Sequence, residues 1–600
     1  MKKLLLILCI FVMVTYQSIA IPAHRSPITI TQPDGSSVTI QLQGDEWIHY
    51  NTTNDGYSVV KNDKGYYVYA ELKEGRLIPT NFVAHDIKER KAAECEFLHN
   101  RKKYQAPMIT PQAASIRNAN QRYRQEKIAK RKAAQKQGND CKELHGLVIL
   151  IQYKDKSFSV PECTNFFNDM INKEGYDGYI DENNEKQECT GSLYDYFYEN
   201  SNGTLKTNFD IAGPYTVDFS QYDSKMGYQG EDAKDSKRTE ILLAAIDSAD
   251  IDIDFAQYDN DGDGKVDFLY FIIAGMGSNY TGNNKGLWWP HKSILYIAYD
   301  EEDRRWKGVT KDGVELFEYA SSTEMFGWES KPELIKPDGI GTICHEFGHV
   351  LGLPDFYDTD DENNGGNSNT LGIWSVMDIG CYCNDSRTPV AYSLYERILA
   401  GFPVEANPIE STGNYVLRPL PTSLQGLYID TSDENEFFIL ENRNKDACKW
   451  DAYLPGSGMI VYHTDITNND AWNNNRINCD PSHNYYRMLF AGGEHKKENG
   501  SYAKTDADVF PGTANVTELT NESTPANLLS WNGEPCKWIL KNITQDEQDI
   551  TFDVIEATST DIPGIQRENK VSEGQRYNLQ GQPVGKEYKG IIIIDGHKRM

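Results

Sequence analysis

Two histidines and a glutamate stand close together in the order His345-Glu346-x-x-His349. Residues four positions apart lie on the same face of a helix, so the two imidazoles would project side by side. Neutral imidazole nitrogen is a preferred ligand of tetrahedral zinc. The spacing therefore predicts a helix that buries one apolar stripe and presents two zinc ligands from its other face.

The residues after the second histidine supply a helix end and a third ligand. Gly352 can adopt the left-handed conformation that ends a helix, after which the chain can turn back. We expect this turn to bring the carboxylate of Asp355 to the two imidazoles. Three protein ligands leave the fourth zinc position open for water, as in catalytic zinc sites.

Glu346, beside the first histidine, is the expected general base. It would take a proton from the water that attacks a peptide carbonyl and then deliver that proton to the leaving amine. With 12 histidines in 600 residues, a chance His-Glu-x-x-His is expected roughly 0.02 times. A core helix with hydrogen-bonded histidines is therefore a poor alternative.

A methionine downstream, Met377, occurs in the run Trp-Ser-Val-Met-Asp at positions 374–378. The run follows a polar loop at positions 358–369. Taken alone, such a methionine is more often part of an ordinary core. Its position after the zinc motif favours a methionine turn, in which Met377 packs beneath the imidazoles and does not bind metal.

The run at 345–358, together with 374–378, closely resembles the immune inhibitor A family of secreted, metzincin-like zinc peptidases. Other segments that look like family blocks begin at Gly146, Gly191, Trp289 and Trp450. The resemblance covers roughly residues 30 to 556. It implies a propeptide, an α/β catalytic domain with its cleft across the zinc helix, a β-rich domain after it, and endopeptidase activity on extracellular proteins.

Three cysteines near the zinc motif depart from the family pattern, and seven others complete the set in the exported chain. Cys344 precedes the first ligand, and Cys381 and Cys383 follow the methionine turn. An even number of cysteines outside the cytosol favours disulfides, although their pairing cannot be assigned from sequence. Cys95, in the expected propeptide, is a candidate thiolate cap on the zinc, with a plain disulfide as the alternative.

An acidic loop is a second candidate metal site, because it resembles the calcium loop of an EF-hand. Its carboxylates and one backbone carbonyl fall at the ligand positions of such loops: Asp259, Asp261, Asp263, Lys265 and Asp267. Oxygen ligands favour calcium over zinc. The twelfth position is Tyr270 instead of glutamate, so water or distant groups must complete the shell of a structural ion. An acidic turn without an ion is the alternative.

Several further side chains are weaker candidates. Tyr382, Tyr392 or His291 would be placed to stabilise an oxyanion, although a packed tyrosine is the commoner role. The acidic residues at positions 358, 360 and 361 would hold another ion or simply form a solvated loop. No catalytic role is assigned to any of them from the sequence.

The first twenty residues have the features of a cleaved secretory signal. Lys2 and Lys3 precede an apolar run at 4–14, and small residues end at Ala20. A membrane anchor is the alternative, but the run is shorter than the roughly 20 residues that a span needs. We therefore expect a secreted or extracellular protein without a membrane span, with attachment to the cell surface left open.

Changes of composition divide the remaining chain into four parts. Residues 21–137 are predicted to form a propeptide, with a small β-rich module and a basic linker that a trypsin-like protease would cut. Residues 138–403 alternate strands and helices, which predicts an α/β (α+β) metzincin-like zinc peptidase domain. Residues 404–556 predict a β-rich, sandwich-like domain. Residues 557–600 form a short tail that resembles sorting tails on exported proteins of some Gram-negative bacteria.

The overall charge excludes nucleic acid as a partner. The chain carries 60 lysines and arginines against 89 acidic residues, a formal net charge of −29, which repels phosphate backbones. A hydrophobic content of 39% with a mean hydropathy of −0.61 is typical of a chain that folds in water. We expect a monomeric zinc endopeptidase that acts on proteins or peptides. A surface adhesin or substrate-binding protein on a catalytically silent scaffold is the alternative, although such a scaffold would typically lack Glu346 or a ligand.

Overall fold

The computed structural model describes most of the chain between residues 21 and 557. The gaps in this range are residues 25–26, 46–47, 109–142, 182, 225–236, 282–285, 301–304, 329–330, 361–365 and 498–501. The expected signal peptide and most of the basic linker lie outside the described residues. Within the described part of the chain, no helix is long and apolar enough to cross a membrane.

The N-terminal region forms a six-stranded antiparallel sheet in which each strand pairs with the next along the chain. Its strands are β1 (Ile28–Thr31), β2 (Ser37–Gly44), β3 (His49–Thr53), β4 (Ser58–Lys61), β5 (Tyr67–Lys73) and β6 (Arg76–Val83). A short 3₁₀ turn (Ile87–Glu89) and helix α1 (Ala92–Leu98) follow. Apolar residues on one side form a separate small core that includes Val38, Tyr69 and Leu98.

A mixed sheet in the order β10-β7-β11-β17-β12, with β18 paired to β17, forms the centre of the next region. Its strands are β7 (Glu143–Tyr153), β10 (Lys206–Val217), β11 (Leu269–Met276), β12 (His291–Ile294), β17 (Glu318–Trp328) and β18 (Lys331–Pro337). Strands β10, β7, β11 and β17 run parallel, and β12 is antiparallel to β17. Three two-stranded pairs are peripheral: β8 (Gly178–Ile180) with β9 (Lys186–Glu188), β13 (Ala298–Asp300) with β14 (Arg305–Lys307), and β15 (Val309–Lys311) with β16 (Val314–Leu316).

Helices cover both faces of this sheet, which is why β7 and β11 are continuous apolar runs. The helices are α2 (Cys163–Asn172), α3 (Leu193–Asn200), α4 (Arg238–Ala249), α5 (Ser278–Thr281), α6 (Gly341–Val350) and α7 (Leu394–Ala400). Along β7, Leu147 and Ile149 pack with α4, whereas Val148 and Leu150 lie in the core that contains α2, α3 and α6. Short 3₁₀ turns are Phe255–Tyr258, Gly372–Trp374 and Ile379–Tyr382.

The region after residue 404 consists of two further sheets. One has the order β19-β21-β22-β23-β24 and the other β20-β28-β27. Their elements are β19 (Glu405–Pro408), β20 (Gly413–Leu417), α8 (Leu420–Ser423), β21 (Gln425–Asp430), β22 (Glu436–Arg443), a 3₁₀ turn (Lys449–Asp451), β23 (Gly458–Asp465), α9 (Asn469–Asn473), β24 (Tyr486–Met488), the pair β25 (His495–Lys496) and β26 (Tyr502–Ala503), β27 (Trp538–Asp546) and β28 (Asp549–Glu556).

The larger of these sheets is buried on both faces. Phe438 on β22 and Val461 on β23 pack against the three-stranded sheet, including Phe552. Phe437 and Ile460, which point to the opposite face, belong to the same core as helix α6. The larger C-terminal sheet therefore shares a hydrophobic core with the preceding region.

Three short strands are described in the tail: β29 (Arg576–Asn578), β30 (Ile592–Ile594) and β31 (His597–Arg599), paired antiparallel in that order. The rest of the tail lies outside the described residues. Taken as a whole, the described chain is a mixed α/β structure with more strand than helix.

Candidate metal centre

Helix α6 carries the first two predicted ligands, and all ten of its residues are buried. The amphipathic pattern predicted one buried stripe, but the face with the imidazoles is covered as well. The segments that cover it come from residues 353–378 and from the N-terminal residues 21–24. The helix ends at Val350 with Leu351 as its C-cap, and Gly352 has a φ of 92°, as expected for the left-handed residue that lets the chain turn back.

Three side-chain atoms from this segment converge on one point. The Nε2 atoms of His345 and His349 lie 3.1 Å apart. Oδ1 of Asp355 lies 3.1 Å from Nε2 of His345 and 3.4 Å from Nε2 of His349. All three side chains are fully enclosed by protein. The three residues that the sequence proposed as ligands are therefore brought together.

The hydrogen bonds of the imidazoles use both Nδ1 atoms and turn both Nε2 atoms toward this point. Nδ1 of His345 donates to the carbonyl of Val376 at 2.8 Å, and Nδ1 of His349 donates to that of Leu353 at 2.9 Å. Burial lowers the pKa of His349 to about 4, so its ring is neutral and Nε2 carries no proton. Oδ1 of Asp355 finds no hydrogen-bond donor among the described residues.

Two ring nitrogens and a carboxylate oxygen at such distances need a metal ion or a proton between them. Burial lowers the pKa of His345, but the hydrogen bonds and charges of Asp355 and Cys381 together outweigh burial and raise that pKa well above the usual range. The edge of a tetrahedron with zinc–ligand bonds of about 2.0–2.1 Å is about 3.3 Å, close to the three observed separations. Two imidazoles and one carboxylate are a donor set that suits zinc and disfavours calcium. The residues present thus fit a zinc ion with an open fourth position.

Glu346 lies next to this point and is completely buried. Its Oε1 accepts a hydrogen bond from the backbone N–H of Ile21 at 3.0 Å, whereas Oε2 has no hydrogen-bond partner among the described residues. Burial raises the pKa of Glu346 to about 8. A carboxyl group with a pKa near neutrality can both accept and return a proton, as a general acid–base catalyst must.

The first described residues, 21–24, lie in the cleft beside Glu346. Trp289 Nε1 donates to the carbonyl of Ile21 at 3.2 Å. The hydroxyl of Tyr382 donates to the carbonyl of Pro22 at 2.7 Å. The N–H of His24 donates to the carbonyl of Asn279 at 3.0 Å. An irregular segment from the expected propeptide, residues 21–24, thus lies directly against Glu346.

The three candidate oxyanion residues differ in what they contact. Nδ1 of His291 hydrogen-bonds the carbonyl of Trp289 at 2.6 Å and Nε2 the hydroxyl of Tyr319 at 2.8 Å, so both ring nitrogens are engaged. Tyr392 donates to the carbonyl of Cys344 at 3.1 Å and anchors α6. Tyr382 donates its hydroxyl to a peptide carbonyl beside Glu346, that of Pro22.

Met377 packs directly against helix α6. A Cβ atom added to Gly348 would approach Met377 Sδ to 2.6 Å, so the close approach of the two segments requires glycine at this helix position. The carbonyl that orients His345 belongs to the preceding residue, Val376. The segment therefore supports the site through packing and one backbone hydrogen bond.

Asn475, which no sequence motif singles out, contacts the third predicted ligand. Its Oδ1 accepts from the backbone N–H of Asp355 at 2.7 Å, and its Nδ2 donates to Oδ2 of Asp355 at 2.7 Å. The two residues are 120 positions apart, and no spacing rule connects them. Nearby, carboxylates of Asp358 and Asp360 lie within 4.8 Å of the thiol of Cys479, whereas Asp361 lies outside the described residues.

The cysteines do not form the contacts that the sequence suggested. No disulfide is present among the described cysteines, and Cys95 is exposed on α1. The idea of Cys95 as a cap on the metal is wrong for this structure, because the N-terminal residue that reaches the site is Ile21. Cys344, Cys381 and Cys383 are buried and are packing residues of the core around α6.

The acidic loop brings together part of the predicted calcium set. Carboxylate oxygens of Asp259, Asp261 and Asp267 lie within 4.8 Å of one another. Asp263 takes part through its backbone N–H, which donates to Asp259 at 3.0 Å and to Asp261 at 3.1 Å. The fifth proposed ligand, the carbonyl of Lys265, stays a prediction. Compared with the zinc ligands, these side chains are far more exposed.

Comparison with known proteins agrees with this geometry. Residues 132–397 match the family described as "Immune inhibitor A peptidase M6, catalytic domain". The chain is 28% identical over 299 residues to immune inhibitor A of Bacillus thuringiensis subsp. alesti, which covers 44% of this chain and 41% of that protein. It is 24% identical over 233 residues to the pre-pro-metalloprotease PrtV of Vibrio cholerae serotype O1, which covers 34% of this chain and 23% of that protein. The matched part thus spans less than half the length of each relative.

Proposed function

We propose, from the premise that this chain is a metallopeptidase of the immune inhibitor A family, that it is a secreted zinc-dependent endopeptidase of extracellular proteins. The observation that carries the proposal is the convergence of His345, His349 and Asp355 beside the buried Glu346. Two imidazole nitrogens and one carboxylate oxygen at these separations are the donor set that zinc prefers, which supports the proposal.

His345, His349 and Asp355 would hold the zinc. Bound there, zinc would supply a Lewis acid that polarises the scissile carbonyl and lowers the pKa of water to about 7. Glu346 would take the proton of the attacking water and pass it to the leaving amine. Its burial supports this role, because the enclosed carboxylate gains basicity from the loss of solvation.

Tyr382 would hold the substrate peptide in the cleft. Its hydroxyl already donates to the carbonyl of Pro22. The preceding residue, Ile21, donates its backbone N–H to Glu346. A hydroxyl that can reach a peptide carbonyl in this place can also donate to an oxygen that gains negative charge during attack. Positioning and oxyanion stabilisation are therefore both within reach of this side chain.

Residues 21–24 support a latent form of the enzyme. They satisfy Oε1 of Glu346 and the hydroxyl of Tyr382, the two groups that a substrate would need. Release of residues 21 to about 137 by cleavage in the basic linker would clear the cleft. Export by the N-terminal signal would deliver this zymogen to the extracellular space, where such cleavage can occur.

A structural calcium ion at the acidic loop completes the proposal. The loop precedes β11, a central strand, and Gly264 N–H already donates to Asp259 at 2.9 Å. An ion held by Asp259, Asp261 and Asp267, with Asp263 and the Lys265 carbonyl nearby, would fix the entry of that strand. The role would be stability and not catalysis.

The test of the proposed activity is hydrolysis of casein or gelatin by the processed chain and by Glu346→Ala. We expect cleavage by the former and none by the latter, with both proteins binding zinc. Equal activity of the two proteins would overturn the mechanism. Inactivity of the processed wild-type chain would favour the alternative of a binding protein on a silent scaffold.

A further inference from the structure

The loop at residues 474–479 follows α9, precedes β24, the last strand of the larger C-terminal sheet, and lies against the third proposed zinc ligand. Besides the two bonds between Asn475 and Asp355, Asn478 Nδ2 donates to the carbonyl of Phe356 at 2.8 Å. The hydroxyl of Thr359 donates to the carbonyl of Asn475 at 2.8 Å. The loop therefore hydrogen-bonds the ligand segment at three residues, Asp355, Phe356 and Thr359.

The side chain of Asn475 makes two hydrogen bonds to Asp355, one as acceptor and one as donor, and few other side chains offer both groups. It accepts from the backbone N–H and donates to the carboxylate of the same residue. An amide offers one acceptor oxygen and one donor nitrogen, whereas an ionised carboxylate offers acceptors only. The two bonds fix the orientation of the Asp355 side chain and direct its other oxygen, Oδ1, toward the imidazoles.

The loop is held in one conformation by its surroundings. Asn475 has a φ of 57°, in the left-handed region that asparagine tolerates better than most residues. Its side chain is completely buried, so water does not compete for the two bonds to Asp355. The sheet to which the loop belongs shares its core with α6, so the amide and the ligands sit on packed elements.

We propose that Asn475 is a positioning residue of the zinc site, through which the C-terminal domain sets the orientation of Asp355 and thereby the affinity for the metal. The proposal rests on the proposed function, since it presupposes that His345, His349 and Asp355 bind zinc. Groups that hydrogen-bond a metal ligand typically change metal affinity 10–100-fold when they are replaced.

The experiment measures the dissociation constant for Zn²⁺ on the full chain, by competition with a chromophoric chelator, for wild type and Asn475→Asp. The substitution keeps the size and the left-handed backbone but turns a carboxylate oxygen toward Oδ2 of Asp355. Asn478→Asp is the matched control, because it replaces a buried amide in the same loop that contacts Phe356 and Tyr486 but no ligand. Melting temperatures of all proteins are measured without metal.

We expect the dissociation constant of Asn475→Asp to rise 10–100-fold and that of Asn478→Asp to change less than about threefold, even if both lose melting temperature. The visible absorption of the Co²⁺-substituted protein should change for Asn475→Asp alone, since it reports the geometry of the ligands. Asn475→Gly, which keeps the left-handed backbone and removes the amide, is the second variant if the first fails to fold.

Unchanged Zn²⁺ affinity in a folded Asn475 variant would overturn the inference, and so would an equal loss of affinity in Asn478→Asp, which would indicate a general effect on the loop. A wild-type chain that binds no Zn²⁺ would instead overturn the proposed function. The two failures are therefore distinguishable in one set of measurements.

Discussion

The two candidate metal sites of this chain, the zinc centre and the acidic loop, differ in how their ligands are held. At the zinc centre the carboxylate oxygen and both ring nitrogens are enclosed, and their other polar atoms are tied to backbone carbonyls or to Asn475. In the acidic loop, the carboxylates are partly exposed and accept hydrogen bonds from the N–H groups of the loop itself, at Asp263 and Gly264.

This difference predicts how strongly each site depends on its metal ion. The enclosed atoms cannot turn to water, so a metal ion or a proton must lie between them. The loop carboxylates are already satisfied by the backbone and by solvent, so a calcium ion would add stability without being required for the fold. Loss of the zinc centre should thus abolish function, whereas loss of the loop site should cost only stability.

The largest effect is expected from removing the base while keeping the ligands. Glu346→Gln should lower casein hydrolysis by about 10³-fold or more, because proton transfer by a positioned base contributes about 10²–10⁴-fold. Zinc content, measured on the same sample, should stay unchanged because Glu346 is not a ligand. Loss of zinc together with activity would mean that Glu346 has been assigned the wrong role.

A smaller effect on activity is expected from the residues that fill the cleft. The full chain from Ile21 should be at least about tenfold less active than the chain processed within the basic linker, because Ile21 and Pro22 occupy the groups that a substrate needs. Initial rates on a fluorogenic peptide before and after limited trypsin treatment check this. Equal rates would show that residues 21–24 leave the cleft without cleavage of the chain.

Calcium should change stability alone. At a concentration 100 times its dissociation constant, calcium contributes about 2.7 kcal/mol, which corresponds to a rise in Tm of roughly 5–10 °C for a domain of this size. The measurement uses Glu346→Ala protein, which cannot digest itself, with and without a calcium chelator. Asp261→Asn should remove the shift, and Asp218→Asn, at an exposed position outside the loop, should keep it. An unchanged Tm would discard the calcium site.

A final prediction concerns Asp338, a buried carboxyl group that contrasts with the exposed loop carboxylates. Burial raises its pKa from 3.8 to about 7, even though Tyr280, Thr342 and Gly339 donate to it. The folded state therefore holds this proton more tightly than the unfolded state. Stability should therefore fall as pH rises from about 4 to about 7.

Urea unfolding at several pH values, for wild type and Asp338→Asn, checks this dependence. The variant should lose less stability than wild type over that window, because its amide does not ionise. Identical pH profiles of the two proteins would show that Asp338 titrates normally in the fold.

The part of the site that the sequence predicts is the part that local geometry determines. His345, His349 and Asp355 lie within eleven positions of one another, so helix periodicity and one left-handed glycine are enough to bring them together. The buried strands β7 and β11 follow from continuous apolar runs in the same way.

The rest of the site depends on contacts between distant segments. Ile21 meets Glu346 across 325 positions, and Asn475 meets Asp355 across 120. Neither residue stands in a motif, and both contacts arise only when separate sheets pack around α6. The full burial of that helix was missed for the same reason, since an amphipathic pattern describes one element and not what will cover it.

The most direct test of the account is the zinc content of the purified full chain, measured by elemental analysis after dialysis, beside the double variant His345→Ala/His349→Ala. We expect one zinc per chain in the wild type and none in the variant. A wild-type chain that is folded yet takes up no zinc from excess ion, or a variant that keeps its zinc, would contradict it.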